Sequence, residues 1–279
     1  MPIHDQSYRR YGGTREVPGR LWTVIARAGL LTLVRRRAFL ALMLVAWIPF
    51  VVRTVQIYLA SSFQQAEVLA VTPQLFRDFL EQQGIFQFLV TIYVGAGLVA
   101  NDRRFNALQI YLSKPLSRVD YVAGKMAILL TVLLFISLVP ALSLLLLQTL
   151  FSGSTTFLVE HAYLIPAIVL QSLVGSLVAS FTMVALSSLT TSARYAGILY
   201  TGLLLFSQAV FSALRLITGN SRMAWISLGA NFEQVGDLVF RQSPRYDAPV
   251  AVSLVVLAGL IALSMSVLDR RIRGVEVVE

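Results

Sequence analysis

The sequence holds no cysteine, which excludes disulfides, thiol chemistry and cysteine-ligated zinc. Histidine is almost as scarce. His4 and His161 are the two in the chain, too few for a histidine-built metal or catalytic site. Charge is short as well. Asp, Glu, Lys and Arg make up 13% of the residues, against about 25% in soluble domains. So little charge cannot cover a water-facing surface for 279 residues. Acids are the scarcer sign, 14 against 23 bases, which gives a formal charge of +9 and a pI of about 10.2. In a soluble domain that balance would point to nucleic acid. What fills the chain instead is apolar: 57% hydrophobic residues and a mean hydropathy of +0.74. That composition is a polytopic membrane protein's, with no nucleic-acid partner expected, and the question becomes which side holds the charge.

Crossing about 30 Å of hydrocarbon takes roughly 20 apolar residues as a helix. Six stretches qualify: residues 38–60, 85–100, 122–150, 162–189, 195–217 and 249–268. The expected fold is all-α, because a bilayer cannot satisfy bare backbone amides and the alternation of a membrane barrel is missing. Span 2 is short at 16 residues. Thr72-Pro73 reads as a capping hydroxyl before a proline at the first helical position, so one helix is expected from Pro73 into span 2. Gly84 costs that helix about 1 kcal/mol relative to alanine. Pro49, Pro140 and Pro166 fall within spans, where kinks are expected.

Residues 1–37 do not read as a signal peptide, because a polar, Arg-rich segment precedes span 1 without a small-residue cleavage site. Within them Leu21–Val34 is apolar but too short to span. Arg20 and Arg27 lie in or beside it, and Arg35-Arg36-Arg37 follow. Two arrangements fit: an amphipathic helix in the membrane interface, with Leu21, Trp22, Ile25 and Arg27 as its marking residues, or an inward extension of span 1.

Lys and Arg concentrate on the cytoplasmic side of short loops. With a cytoplasmic N-terminus and six spans, 17 of the 23 bases fall inside, and Arg53, Arg77, Arg215, Arg222, Arg241 and Arg245 outside. Seven acids accompany each set, so the surplus positive charge is all inside. Five or seven spans would put the basic tail outside. Six spans with both termini cytoplasmic are therefore expected, in the inner (plasma) membrane of the cell. Residues 269–279 form the cytoplasmic tail. Arg53 and Arg215 are expected to snorkel. Ser172, Ser176 and Ser180 repeat on one face of span 4, with Gly175 and Ala179 beside them, as in close helix packing.

The most specific segment is the inside connection over residues 101–125, with its loop at 101–121. Its charges alternate in sign, and Phe105, Leu108, Ile110 and Leu112 give it an apolar side. A short amphipathic element held between two spans can pass force between a soluble partner and the membrane. A basic loop that only sets topology has the same composition.

This connection resembles the coupling region of type-2 ABC transporter permeases. That family has an acid after span 2, a Leu-Ser-x-Pro-(hydrophobic)-Ser-Arg turn, and an aromatic and Gly-Lys opening span 3. Here stand Asp102, then Leu112-Ser113-Lys114-Pro115-Leu116-Ser117-Arg118, then Tyr121 and Gly124-Lys125. Asn106-Ala107-Leu108 departs from the commoner Gly-Thr-Leu. The resemblance implies a permease subunit paired with a second one, identical or different, above two ABC ATPase subunits that bind ATP and Mg. It implies that Asp102, Arg103, Arg104, Phe105, Leu108, Leu112, Ser113, Lys114, Pro115, Ser117 and Arg118 couple to the ATPase. It also implies that Leu21–Val34 is the family's connecting helix at the membrane surface.

The chain is not expected to hydrolyse ATP itself or to hold a cofactor. A phosphate-binding loop needs G-x-x-x-x-G-K-[ST], whereas Gly124-Lys125 is followed by Met126 and preceded by Val119 at the first glycine's place. Lys125 is expected to snorkel from span 3 to the cytoplasm. A membrane protease would need a well-placed histidine, which His4 and His161 do not supply. A secondary transporter would call for mid-membrane charge or inverted repeats, and neither is evident. The outer connection at 218–248 is the longest loop, and the family often has short helices there. Its Glu233 and Asp237 lie one turn apart and read as exposed helix charges rather than metal ligands.

Overall fold

The computed structural model describes residues 20–62, 71–107 and 117–272, and among these it is helical with no strand. The helices are α1 (Leu21–Val34), α2 (Arg37–Ala46), α3 (Ile48–Ser62), α4 (Pro73–Val90), α5 (Ala100–Arg104) and α6 (Arg118–Ser152). Then come α7 (Thr156–Glu160), α8 (Leu164–Leu189), α9 (Ala193–Thr218), α10 (Leu228–Val239) and α11 (Val250–Arg271). Among the described residues six helical stretches are long and apolar enough to cross a membrane: Arg37–Ser62, Pro73–Arg104, Arg118–Ser152, Leu164–Leu189, Ala193–Thr218 and Val250–Arg271. This is the architecture of a multi-pass membrane protein, at the six expected places and a few residues longer at most ends.

Local chemistry sets several boundaries. Pro73 opens α4 at its first helical position, but Thr72 makes no side-chain cap bond, so the start rests on the proline alone. Ser117 caps α6, its Oγ accepting from Asp120 N at 3.0 Å. Gly153 and Gly219 end α6 and α9 in the left-handed conformation (φ 61° and 66°). Span 1 breaks at Trp47, just before Pro49, as expected of a helix losing an amide donor. Pro140 lies inside an unbroken α6, and Pro166 is the third residue of α8, where it removes no helical bond; neither interrupts its helix.

Span 2 is irregular in a way its sequence did not announce. After Val90 the chain makes a π-type turn over Thr91–Gly95 and reforms as α5. Ser187 of α8 enters the gap. Its Oγ accepts from Val99 N (3.1 Å) and Ala100 N (3.0 Å) and donates to Ala96 O (2.8 Å). One hydroxyl thus satisfies three backbone groups that have no water to turn to. Gly95 allows the approach, since a Cβ there would meet Met183 Cγ at 2.5 Å.

The 35-residue α6 is the central post, against which α1, α3, α4 and α8 pack. Val90, Leu129, Leu133, Ile136 and Met183 fill the middle of the bundle. One end is gathered by Val99, Tyr121, Val184, Leu268 and Ile272; it carries the basic connection and is called the basic end below. The opposite end is gathered by Ile57, Phe76, Phe79, Leu164 and Phe240. The α1 helix lies against the start of α6, with Ala26 and Leu33 buried and Ile25 in contact with Gly124. Arg27, Val24 and Leu31 face outward.

Candidate functional site

At the basic end, α5 brings Asp102 to the first turns of α6. Its Oδ2 lies 2.7 Å from Lys125 Nζ and accepts from Tyr121 Oη at 2.7 Å. Lys125 is 8% exposed and sits 5.5 Å from the Tyr121 ring. The expectation that Lys125 snorkels to water is therefore corrected. Its ammonium turns inward because a carboxylate one helix away offers a shorter route to neutralisation than the surface. Arg103 donates to the Ser188 carbonyl, so α5 is tied to α8 as well.

The expected coupling residues fall into three groups. Asp102 and Arg103 are inward ties. Arg104, Phe105, Ser117 and Arg118 are exposed, with the Arg104 guanidinium 5.5 Å from the Phe105 ring. Phe105, before the connection, is 70% exposed, and Val119, after it, 76%. Leu108, Leu112, Ser113, Lys114 and Pro115 lie outside the described residues. Among the α1 residues, Leu21, Trp22 and Ile25 are half-buried on the side of α6, and Arg27 is exposed.

The opposite end holds a charge network that sequence reasoning missed. Arg77 of α4 and Asp237 of α10 are 2.6 Å apart and almost fully buried, with side chains 7% and 3% exposed. Arg77 also reaches Asp78 and Glu81, each at 3.2 Å. Arg245 forks onto both oxygens of Glu81 (3.0 and 3.1 Å) and touches Asp237 (3.2 Å) and Glu233 (3.3 Å). Tyr246 Oη donates to Glu233. The reading of Asp237 as an exposed helix charge is thereby corrected: α10 packs against α8, α9 and α11, which takes this carboxylate out of water. No group of three acids or histidines suited to a metal occurs among the described residues. Arg53 bonds Gln56 (2.8 Å), and Arg215 is exposed in the last turn of α9.

Burial pushes the Asp237 carboxyl above its ordinary value, and the Arg77 guanidinium offsets part of that. Burial and the bond to Glu233 push the Tyr246 phenol up. The Asp247 carboxyl goes the other way, held down by the hydroxyl and amide of Ser221, at 2.6 and 3.2 Å.

Beside the network a cavity of about 290 Å³ opens among α4, α8, α9 and α10. Arg77, Glu81 and Glu233 stand at one end, and the stacked rings of Phe88 and Tyr200 (centroids 6.0 Å apart) at the other. Gln171 and Ser172 line its wall. Of the expected serine stripe, Ser172, Ser176 and Ser180 are all buried, and none of the three hydroxyls has a hydrogen-bond partner. No protein-family model matches the chain, and no curated protein sequence does.

Proposed function

We propose that this chain is the membrane-spanning permease subunit of an ATP-driven ABC transporter, exporting or extracting a substrate. In this reading both termini are cytoplasmic, in the inner (plasma) membrane. Two separate ATPase subunits bind ATP and Mg beneath the chain, and a second permease subunit, the same or different, completes the membrane part. The chain itself is not catalytic. Its least covered helices, among them α9 with Leu205, Phe206 and Leu216 exposed, are left for lipid or that second subunit.

The observation that carries the reading is how the 2–3 connection is held. A coupling element must be stiff at its feet and sticky on its surface. The feet are tied by Asp102, Lys125 and Tyr121 to each other and by Arg103 to α8. The surface offers Phe105 beside Arg104 at one foot and Val119 next to Arg118 at the other, each an exposed apolar side chain next to a base. A push there moves spans 2, 3 and 4 together.

The test is co-purification with an ABC ATPase subunit expressed together with the chain. Deleting residues 112–118, or combining Phe105→Ala with Arg118→Glu, is expected to cut ATPase recovery at least tenfold while membrane insertion persists. Undiminished recovery sinks the assignment. A permease-like subunit that supports enzyme maturation or motility would share this coupling. One observation favours an ion-coupled secondary transporter instead, the buried Arg77–Asp237 pair. Substrate movement driven by an ion gradient with no ATPase present would select that reading.

A further inference from the structure

The cavity at the opposite end has the marks of a ligand site within a single subunit. Arg77, Glu81 and Glu233 line its mouth, and the network they belong to is unbalanced: the two guanidiniums of Arg77 and Arg245 meet four carboxylates, those of Asp78, Glu81, Glu233 and Asp237. Two negative charges are thus in surplus in this network, whose Asp78, Glu81 and Glu233 stay 30–41% exposed at the rim, and a surplus of carboxylates there attracts a cation. The wall carries a second, independent sign. Ser172 is 2% exposed, lines the cavity, and its Oγ has no partner. Gln171 Nε2 donates to Phe232 O at 3.2 Å, which leaves its buried Oε1 as an unpaired acceptor. Unpaired buried acceptors cost roughly 1–3 kcal/mol each, so a donor-bearing ligand has something to repair.

Apart from Gln87, the rest of the lining is apolar and roomy. Gly84, Gly175, Gly229 and Gly236 replace side chains with space, and a Cβ on Gly84 would meet nothing within 4 Å. From Arg77 to Phe88 the cavity follows about 16 Å of α4, at ~1.5 Å per residue. The volume is close to the lower bound of small-molecule sites, roughly 300–1,000 Å³. We propose that this cavity binds an amphiphile with a primary ammonium head. The head sits between Glu81 and Glu233, its N–H donors within reach of the Gln171 and Ser172 oxygens. The alkyl part runs inward over Leu204 to the Phe88–Tyr200 stack. A quaternary ammonium has no N–H to give, and a carboxylate head meets the surplus negative charge. The proposal stands apart from coupling to an ATPase and holds for the isolated chain.

The absence of cysteine supplies the test. Gly84→Cys places one thiol beside the cavity at a position where an added Cβ meets nothing within 4 Å. The full chain carrying it, in phosphatidylcholine nanodiscs, is labelled with N-ethylmaleimide, with and without octylamine, octyltrimethylammonium or octanoate. Octylamine is expected to slow labelling at least tenfold, the quaternary ion several-fold less, and octanoate not at all. Adding Glu233→Gln is expected to reduce octylamine protection about tenfold, taken as a ratio within that variant. Equal protection by octylamine and octanoate, or none by octylamine, overturns the proposal. Because those comparisons need only Gly84→Cys, they decide the matter even where the glutamine variant fails to fold.

Discussion

Asp102 and Lys125 meet at 2.7 Å although one closes span 2 and the other opens span 3, with the whole connection between them. The pair is mostly covered, with side chains 17% and 10% exposed, and the Tyr121 hydroxyl shares the same carboxylate oxygen. This turns the connection from a tether into a loop with closed feet. Lys125→Met would leave a mostly covered carboxylate with the Tyr121 phenol as its partner. It is expected to lower stability by about 1–3 kcal/mol, read as a fall in Tm of the detergent-solubilised chain. Adding Asp102→Asn should recover part of the loss. A lysine that merely snorkels would give no change in either variant.

Ser187 is expected to matter more than its size. Ser187→Ala removes the partner of Val99 N, Ala100 N and Ala96 O at once. Backbone groups left bare inside a membrane are expensive. The expected loss is about 2 kcal/mol or more, with faster hydrogen exchange at the Val99 and Ala100 amides and little elsewhere. Ser192→Ala, at the N-terminal edge of α9 and without a side-chain cap bond, is the matched control. Equal effects of the two would show that the break in span 2 does not depend on the inserted hydroxyl.

The Arg77–Asp237 pair makes a sharper prediction, because both partners are buried. Asp237→Asn leaves Arg77 with its remaining carboxylates on the rim, and Arg77→Met leaves Asp237 with Arg245. Breaking one side of a buried pair costs about 3–5 kcal/mol. The double variant Arg77→Met with Asp237→Asn should cost less than the sum of the two. Thermal unfolding of the four proteins closes that cycle. Additive losses would mean that the two residues act separately despite their 2.6 Å contact.

These elements also show what a sequence can carry. The six spans were legible because hydropathy alone decides whether a 20-residue helix leaves water, and the helix start at Pro73 because a proline fixes its own φ. Lys125 was misread because nothing in the sequence says that Asp102 folds back beside it. The network was hidden for the same reason: Glu81 and Arg245 are 164 residues apart, and Glu233 and Asp237 look like any polar helix face until α10 is packed against its neighbours. The signal that was available was an imbalance. Arg77 and two nearby acids, Asp78 and Glu81, occupy a stretch otherwise headed into the membrane, and such charges need partners there. The serine stripe was read as a packing face, which its burial supports, yet Ser172 alone of the three lines the cavity. Spacing along one helix cannot distinguish those two surroundings.

Sidedness is the last expectation with a clean readout, and the missing cysteines make it direct. The two ends of the bundle differ in chemistry. The basic end carries Arg35, Arg36, Arg37, Arg103, Arg104, Arg118, Arg194, Arg270 and Arg271 with few acids, whereas the other end sets Arg53, Arg77, Arg215, Arg222, Arg241 and Arg245 against a similar number of acids, among them Asp78, Glu81, Glu233 and Asp237. Lys and Arg near the ends of spans hold short loops on the cytoplasmic side, and the end with more of them is the one retained there. The basic end is therefore expected to be cytoplasmic. Ser113→Cys should react with a membrane-impermeant maleimide only in opened cells, and Ser243→Cys, exposed just before Arg245, in intact ones. The reverse pattern would invert the topology and remove the connection from any cytoplasmic partner, so this experiment bears on the coupling proposal as much as on orientation. Labelling of both sites from one side would be incompatible with six crossings, because positions 113 and 243 are separated by three of the candidate spans.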